Sequence, residues 1–399
     1  MNEMRASSAS IRHSTEDNPT GKVIIVGGGV IGLGIGWQLA KAGCAVTVFE
    51  RAQAGHAASW AAAGMLAPLA EVHFEEQELL RLGRYSLELY PEWVRELEAD
   101  SQMSVGYRTE GTLVVAIDQD DAHLLQHLYE SQKLLDLHVE WMSGAEAREI
   151  EPLLSPKITA VISCDDDHQV DNRLMVEALV AAYRNAGGVL VEQVSVDRIE
   201  VSGGTARGVW TEGILHEADL IVLCAGCWSR EIEGLPESVK PPVRPVKGQM
   251  LALQIESGIT LQKVVRTPRS KYETDVYLVP KNDGRLIVGA TSEEMGFNTE
   301  LTAGGLFELL RGAWEAVPGI YDLPILETWA GLRPGSRDNA PILGQTDVES
   351  LIMATGHYRN GILLTPVTAR SVATLILTGH TSEIIAPFQL SRFSQESGE

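Results

Sequence analysis

The sequence predicts an α/β protein in which a strand–helix–strand unit, of the kind found in parallel sheets, is followed by a β-rich remainder. Three observations carry this expectation. The apolar run Val23 to Val26 leads at once into Gly27-x-Gly29-x-x-Gly32, and helical periodicity follows the glycines. A second run, "AVTVF", comes next and ends at an acid, Glu50. Farther on, "GTLVVAI", "QMLALQI", "DVYLVPK" and "GRLIVGA" are β-rich, with no long helix between the last two, as an antiparallel sheet requires.

The first unit, residues 22 to 50, reads strand, turn, helix, strand. Gly27 allows a tight turn, Gly29 lets the backbone approach a pyrophosphate, and Gly32 permits close packing of the helix. Leu33, Ile35, Trp37, Leu39 and Ala40 supply the helix's apolar side, and Gly43 ends it. The free N–H groups and positive dipole of the helix start, at Val30 and Ile31, favour phosphate. Glu50, about 20 residues beyond the glycines, can accept from both ribose hydroxyls and disfavours a 2′-phosphate. This unit by itself leaves NAD and FAD both open.

A chain of 399 residues that is 44% hydrophobic has the material for a sizeable core and about two domains. Its formal net charge of −22 argues against nucleic acid or anionic membrane as main partner, so a small molecule is expected. No stretch approaches the roughly 20 apolar residues of a membrane span. Residues 1–21 are polar, lack the apolar centre of a secretory signal and read as a disordered leader. Cys44, Cys164, Cys224 and Cys227 are too few for a disulfide scaffold and fit a reducing cytoplasm.

Downstream, "GHAASWAAAGMLAP", "DNRLMVEALVAAYRNAGG", "EADLIVLCAGCWS", "PVRPVKGQMLAL", "VYLVPKNDGRLIVGATSE", "WAGLRPGSRDNAPILG" and "GHYRNGILLTPVTA" occur in that order. In this order they resemble the FAD-dependent D-amino-acid oxidase superfamily, most closely its ThiO-type glycine oxidases, over about residues 22 to 390. The resemblance implies a discontinuous Rossmann-like FAD-binding domain (22–98, 165–238 and 330–390). It also implies an α+β substrate-binding domain (99–164 and 239–329) with a mostly antiparallel sheet over the flavin. The helical patterns "LLRLGRYSLELYPEWVRELEAD" and "LTAGGLFELLRGAWEAVPGI" would flank or cover these sheets.

An amine oxidation by flavin needs a clamp for the substrate carboxylate, the Cα–H close to flavin N5, and exclusion of water. Arg333 stands among Trp329, Ala330, Leu332 and Pro334, where an unpaired guanidinium is costly. Its planar fork suits a carboxylate. The resemblance aligns Arg333 with the carboxylate-binding arginine and Tyr277 with a tyrosine beside it. Met65, Ser292 and Arg359 complete the expected substrate contacts. A structural use of Arg333 would instead pair it with Asp338, Glu327 or Glu294.

The resemblance further assigns Glu50, Arg51, Ser59, Ala63, Gly64 and Met65 to the cofactor, the last four on the segment running from phosphate to isoalloxazine. It places Val196 on a strand that reads the adenine edge. The segment His357, Tyr358, Arg359, Asn360, Gly361, Ile362 and Leu363 resembles the loop over flavin and substrate. There the N–H groups of Asn360, Gly361 and Ile362 would meet the negative charge of a reduced flavin. No residue need act as a general base: hydride can leave Cα for N5 from the neutral amine, so activity should rise with pH as the amine deprotonates.

Other signals have plainer readings. Cys224-Ala-Gly-Cys227 spells CxxC, but no second ligand pair has zinc spacing, and the family has a small-residue turn there. "DDDH", 165 to 168, reads as an acidic loop rather than a metal site. Related sarcosine oxidases hold flavin through a cysteine near the region of Arg333; no cysteine follows Cys227, so FAD is expected to be non-covalent. Two positions depart from the glycine-oxidase pattern. Ser292 stands where methionine is common and would enlarge the pocket, and Asp275, where histidine is common, would favour an amine or face away.

The resemblance therefore implies an oxidase of glycine, or of a small secondary or D-amino acid such as sarcosine or D-alanine. Such an enzyme yields imine and H2O2, feeds thiamine thiazole biosynthesis, and is a homotetramer. The rivals are a D-amino-acid dehydrogenase passing electrons to a quinone, a flavin module of a tRNA-modifying enzyme, and a non-catalytic FAD-binding subunit. The first wants a membrane-facing surface and the second basic patches, and the sequence displays neither.

Overall fold

Alternation along the first strand explains the architecture of the nucleotide-binding half. In the computed structural model, which describes residues 21–71, 76–255, 261–267 and 275–394, β1 (Lys22–Val26) is central in a six-stranded sheet. Val23 and Ile25 point into one hydrophobic cluster, with the helices α1 (Val30–Lys41), Asn172–Asn185 and Thr365–Thr378. Ile24 and Val26 point into another, with the three-stranded antiparallel sheet Arg198–Ser202, Thr205–Thr211 and Ile214–Glu217. A strand buried on both faces must be apolar at every position, which is why the run is unbroken.

The sheet order is Ile342–Gln345, Leu351–Thr355, Leu220–Leu223, β1, β2 (Ala45–Phe49), Val189–Val191. All neighbours are parallel except the first pair. The expected βαβ unit and the strand in "LIVLCAG" beside it are both present. Of the expected leader, only Gly21 is among the described residues.

The second sheet has eight strands in the order Ile325–Gly335, Arg244–Gln254, Arg285–Gly289, Tyr277–Pro280, Val264–Arg266, Thr112–Ala116, Ala160–Cys164, Glu140–Ser143. It is antiparallel except where Val264–Arg266 runs parallel to Thr112–Ala116. Its period of two again sorts the side chains. Leu251 and Leu253 pack with Leu309 and Ala313 of helix Ala303–Ala316, whereas Met250 and Ala252 pack with Ala61 and Ala63 on the opposite face. That second face, turned toward the glycine-rich turn and its following segment, bounds the functional site. The fold is thus α/β, with a nucleotide-binding layer and an antiparallel sheet set against it.

Candidate active site

One cavity of about 660 Å³ runs from the Gly27–Ile31 turn, past Ser59–Met65, to the eight-stranded sheet and the 356–363 loop. At its nucleotide end Gly27 has φ +108°, and a Cβ there would overlap the Cys224 carbonyl, so only glycine makes the turn. Glu50 accepts from the backbone N–H of Gly28 (2.8 Å) and of Ala52 (3.0 Å). It therefore fixes the turn, and it also lines the cavity. Gly32 does not line the cavity: a Cβ there would overlap the Gly27 carbonyl, so its role is packing beneath the turn and not cofactor contact. Gly29, Val30, Ile31 and Ser59 do line it, and the Ser59 hydroxyl accepts from Val30 N–H at 3.1 Å. Arg51 lies over the Trp228 ring at 3.4 Å, closing one side of this end. Val196 lines the cavity from the loop after Val189–Val191, not from a strand as expected.

The small-residue segment is a single helical turn, Ala58–Ala61, followed by extended chain. Several groups pin it from behind. The Asn172 amide donates to the carbonyls of Ser59 and Trp60, both at 2.9 Å, and Trp329 Nε1 donates to Ala61 O at 3.0 Å. Arg173, bonded to Glu327, lies 3.5 Å from the centre of the Trp60 ring. Lys281 Nζ donates to Ala63 O and Val170 O, each at 2.7 Å. Burial pulls the Lys281 ammonium down to about 7. Asn172, Arg173 and Lys281 escaped the sequence reading, because nothing in their local pattern says which carbonyl or ring they meet.

The loop 357–363 is held by its carbonyls. Asn360 O accepts from Leu364 N–H (2.8 Å), Gly361 O from the Thr365 hydroxyl (2.8 Å), Ile362 O from the Tyr90 hydroxyl, and Leu363 O from Ser86 Oγ (2.6 Å). In a trans peptide C=O and N–H point opposite ways. The N–H groups of Gly361, Ile362 and Leu363 are accordingly turned away from these anchors, and all three residues line the cavity. Helix Thr365–Thr378 begins directly behind them and adds its positive end. One expectation is corrected: Asn360 N–H is already bonded to His357 O at 2.9 Å, and Leu363 takes its place in the set. His357 is buried, bonded to the Thr368 hydroxyl (3.1 Å), and burial pulls its imidazole down to about 3, so it is neutral.

At the other end of the cavity stands Arg333. The carboxylates that a structural role would need are engaged elsewhere: Asp338 with Arg392 (2.8 Å), Glu294 with Arg244 (3.0 Å), Glu327 with Arg173. Among the described residues no carboxylate pairs with Arg333; its Nη1 donates to Thr291 O at 3.0 Å. The guanidinium lies over Gly248, where a Cβ would come within 2.5 Å of Nη1. The Tyr277 hydroxyl donates to Met250 Sδ at 3.9 Å, and burial raises its phenol despite the opposing pull of the Arg333 guanidinium, so it is neutral. Met65 and Ser292 line the same end.

Two further charged residues there were not anticipated. Glu71 sits between Arg266 (3.5 Å) and Arg359 (3.6 Å), and Arg266 also binds Asp275 at 3.0 Å and the Ala70 carbonyl at 2.8 Å. Asp275 therefore lines the cavity and does not face away: its Oδ2 pairs with Arg266, while its buried Oδ1 has no hydrogen-bond partner among the described residues. The signal that singled out Arg333, a charge in an apolar stretch, is present at Arg266 in "VVRTP" and Glu71 in "APLAEV" as well. Behind them Asp167, fully buried, accepts from Leu69 N–H and Ala70 N–H at 3.1 Å. The "DDDH" stretch is thus spent on structure: Asp165 pairs with Lys263, Asp166 with His138, and His168 bonds the Tyr107 hydroxyl. Cys224 and Cys227 are free and buried, and burial raises both thiols, that of Cys227 to about 12, so neither is a reactive thiolate.

These features fit FAD. The glycine turn and helix start offer a phosphate seat, Ala61 to Met65 form a slot too tight for larger side chains, and three N–H groups meet the far end. The Gly331 position makes the same point, since a Cβ there would overlap Ala61.

Comparisons with known proteins agree. The family model described as "FAD dependent oxidoreductase" (DAO) matches residues 22–375. A bifunctional ThiO/ThiG protein of Synechocystis sp. is 38% identical over 380 residues, covering 94% of this chain and 54% of that protein. The chain thus spans about half the length of the bifunctional relatives it matches. A glycine oxidase of Geobacillus kaustophilus is 34% identical over 93% of this chain and 96% of its own. The crystal structure of glycine oxidase from that organism superposes with a TM-score of 0.86, covering 94% of this chain and 99% of that one.

Proposed function

The chain belongs to the DAO family of FAD-dependent oxidoreductases, and on that premise we propose that it oxidises glycine, or a small secondary or D-amino acid, to the imine while O2 becomes H2O2. Water then converts released glycine imine to glyoxylate and ammonia. The observation that carries this reading is Arg333, a guanidinium facing the cavity with no carboxylate among the described residues to neutralise it.

The chemistry that FAD supplies when bound is acceptance of a hydride and its delivery, as electrons and proton, to O2. The protein's own groups do the rest by placement. Arg333 would take the substrate carboxylate in a two-bonded fork, and neutral Tyr277 would donate a further hydrogen bond beside it. The Gly361, Ile362 and Leu363 N–H groups would meet the negative charge that develops at the cofactor's pyrimidine end. Glu71, Arg266, Asp275 and Arg359 form an ionic wall around the substrate end. Among the described residues the carboxylates at that end, Glu71 and Asp275, are each paired with an arginine, which supports hydride loss from the neutral amine and a rate that rises as the amine deprotonates.

In this reading residues 22–98, 165–238 and 330–390 chiefly hold the cofactor and 99–164 and 239–329 chiefly enclose the substrate, but strand Ile325–Gly335 of the eight-stranded sheet crosses that boundary and carries Arg333 to the substrate end. Production of the imine for thiazole assembly is supported by the names of the ThiO/ThiG relatives, and a cytoplasmic homotetramer rests on family resemblance. Among the described residues no helix is long and apolar enough to cross a membrane. The test is anaerobic flavin absorbance with glycine, sarcosine and a panel of D-amino acids. Bleaching by glycine at low concentration is expected. Bleaching by none of them would refute the oxidase reading and favour a non-catalytic FAD-binding subunit.

A further inference from the structure

We propose that Lys281, which lies behind the cavity wall, is a positioning residue that tunes the bound flavin through the peptide joining Ala63 to Gly64. Its ammonium donates to Ala63 O at 2.7 Å. The N–H of the same peptide belongs to Gly64 and points the opposite way. Ala63, Gly64 and Met65 all line the cavity, and Lys281 does not. The far side of Gly64 is filled: a Cβ there would lie 3.1 Å from Lys281 Nζ and overlap the Val170 carbonyl. What remains open to the Gly64 N–H is the cavity. A carbonyl that accepts from an ammonium is polarised, and its peptide's N–H becomes a stronger donor.

Among the described residues no carboxylate pairs with Lys281, and nearby Asp171 is engaged with Arg285 and caps helix Asn172–Asn185. A buried cation held only by carbonyls is costly, and burial already draws its proton affinity down toward neutrality. An anion placed on the other side of the Ala63–Gly64 peptide would relieve that cost. The isoalloxazine acquires such charge on reduction, so Lys281 favours the reduced cofactor. This inference rests on FAD binding and not on the choice of glycine as substrate.

The experiment is a dithionite titration of the holoprotein against a reference dye, on the acid side of neutrality, for wild type, Lys281→Gln and Lys281→Arg. Lys281→Gln keeps two N–H donors for the two carbonyls and removes the charge. Its reduction equilibrium is expected to be about tenfold less favourable, which is about 30 mV for a two-electron couple, with Lys281→Arg close to wild type. A potential equal to wild type in FAD-bound Lys281→Gln would overturn the proposal and leave Lys281 a structural donor. Should Lys281→Gln emerge without flavin, retention of FAD by Lys281→Arg upholds the need for charge, and its loss there too overturns it in favour of shape. Because dithionite replaces the amino acid, the result is independent of the substrate assignment.

Discussion

Replacing Arg333 by methionine removes the guanidinium and keeps most of its apolar stem. The structure sets the size of the effect. Thr291 O and Lys247 O accept from Nη1 and hold the group over Gly248, leaving other N–H donors of the fork for a carboxylate in a half-buried setting. Loss of one partner of such a charge pair costs about 3 to 4 kcal/mol, or two to three powers of ten in kcat/KM. Arg333→Lys retains charge without the fork and is expected to lose about tenfold. Anaerobic stopped-flow reduction, followed at the flavin band over a glycine series, separates affinity from limiting rate, and both should suffer because the carboxylate fixes orientation as well as occupancy. The stability control is specific. Since no carboxylate among the described residues pairs with Arg333, its removal orphans no anion, and Tm should stay within about 2 °C of wild type. Gly248→Ala, whose Cβ would press on Nη1 at 2.5 Å, should weaken glycine binding with FAD retained. An FAD-bound Arg333→Met enzyme whose kcat/KM lies within about threefold of wild type would refute the clamp.

Three other outcomes are expected. Gly64→Ala places a Cβ against the Val170 carbonyl at a φ of +77°, so the protein should purify with little flavin, as the ratio of flavin to protein absorbance will show; full FAD content would contradict the slot. Ser292→Met narrows the substrate end and should raise the glycine-to-sarcosine ratio of kcat/KM by about tenfold, whereas an unchanged ratio would remove Ser292 from the selectivity argument. Lys281, lowered from its ordinary 10.5 to about 7, binds fewer protons folded than unfolded between those values, so stability rises with pH across that window. Relative to Lys281→Met, wild type should therefore gain stability from pH 7 toward pH 10.5, and parallel denaturation profiles would show that the shift is absent.

Much of the site was legible because it is local. The glycine turn, the following helix start and Glu50 act on one another within some 25 residues, and residues 357–363 form a single loop. Arg333 was legible for another reason: a permanent charge in an apolar stretch demands a partner, and the demand shows in the sequence. Where reading failed, the missing information was pairing. Asn360 lost its N–H to the carbonyl of His357, three residues back, and Val196 reached the cavity from a loop, neither of which composition reveals.

The sequence by itself determined the α/β class, the dinucleotide turn and the sheet-forming runs, since each follows from hydrophobic period or from backbone freedom at particular glycines. Only the tertiary structure decided which charges meet. It engaged Asp338, Glu294 and Glu327 with other arginines and so left Arg333 facing the cavity, it tied Asp275 to Arg266, and it set Lys281 behind Ala63 across more than 200 residues of chain. The physical reason is that an ion pair or a charge-assisted hydrogen bond depends on distances of a few ångströms between atoms remote in sequence, and these exist only once the two sheets are packed around the cavity.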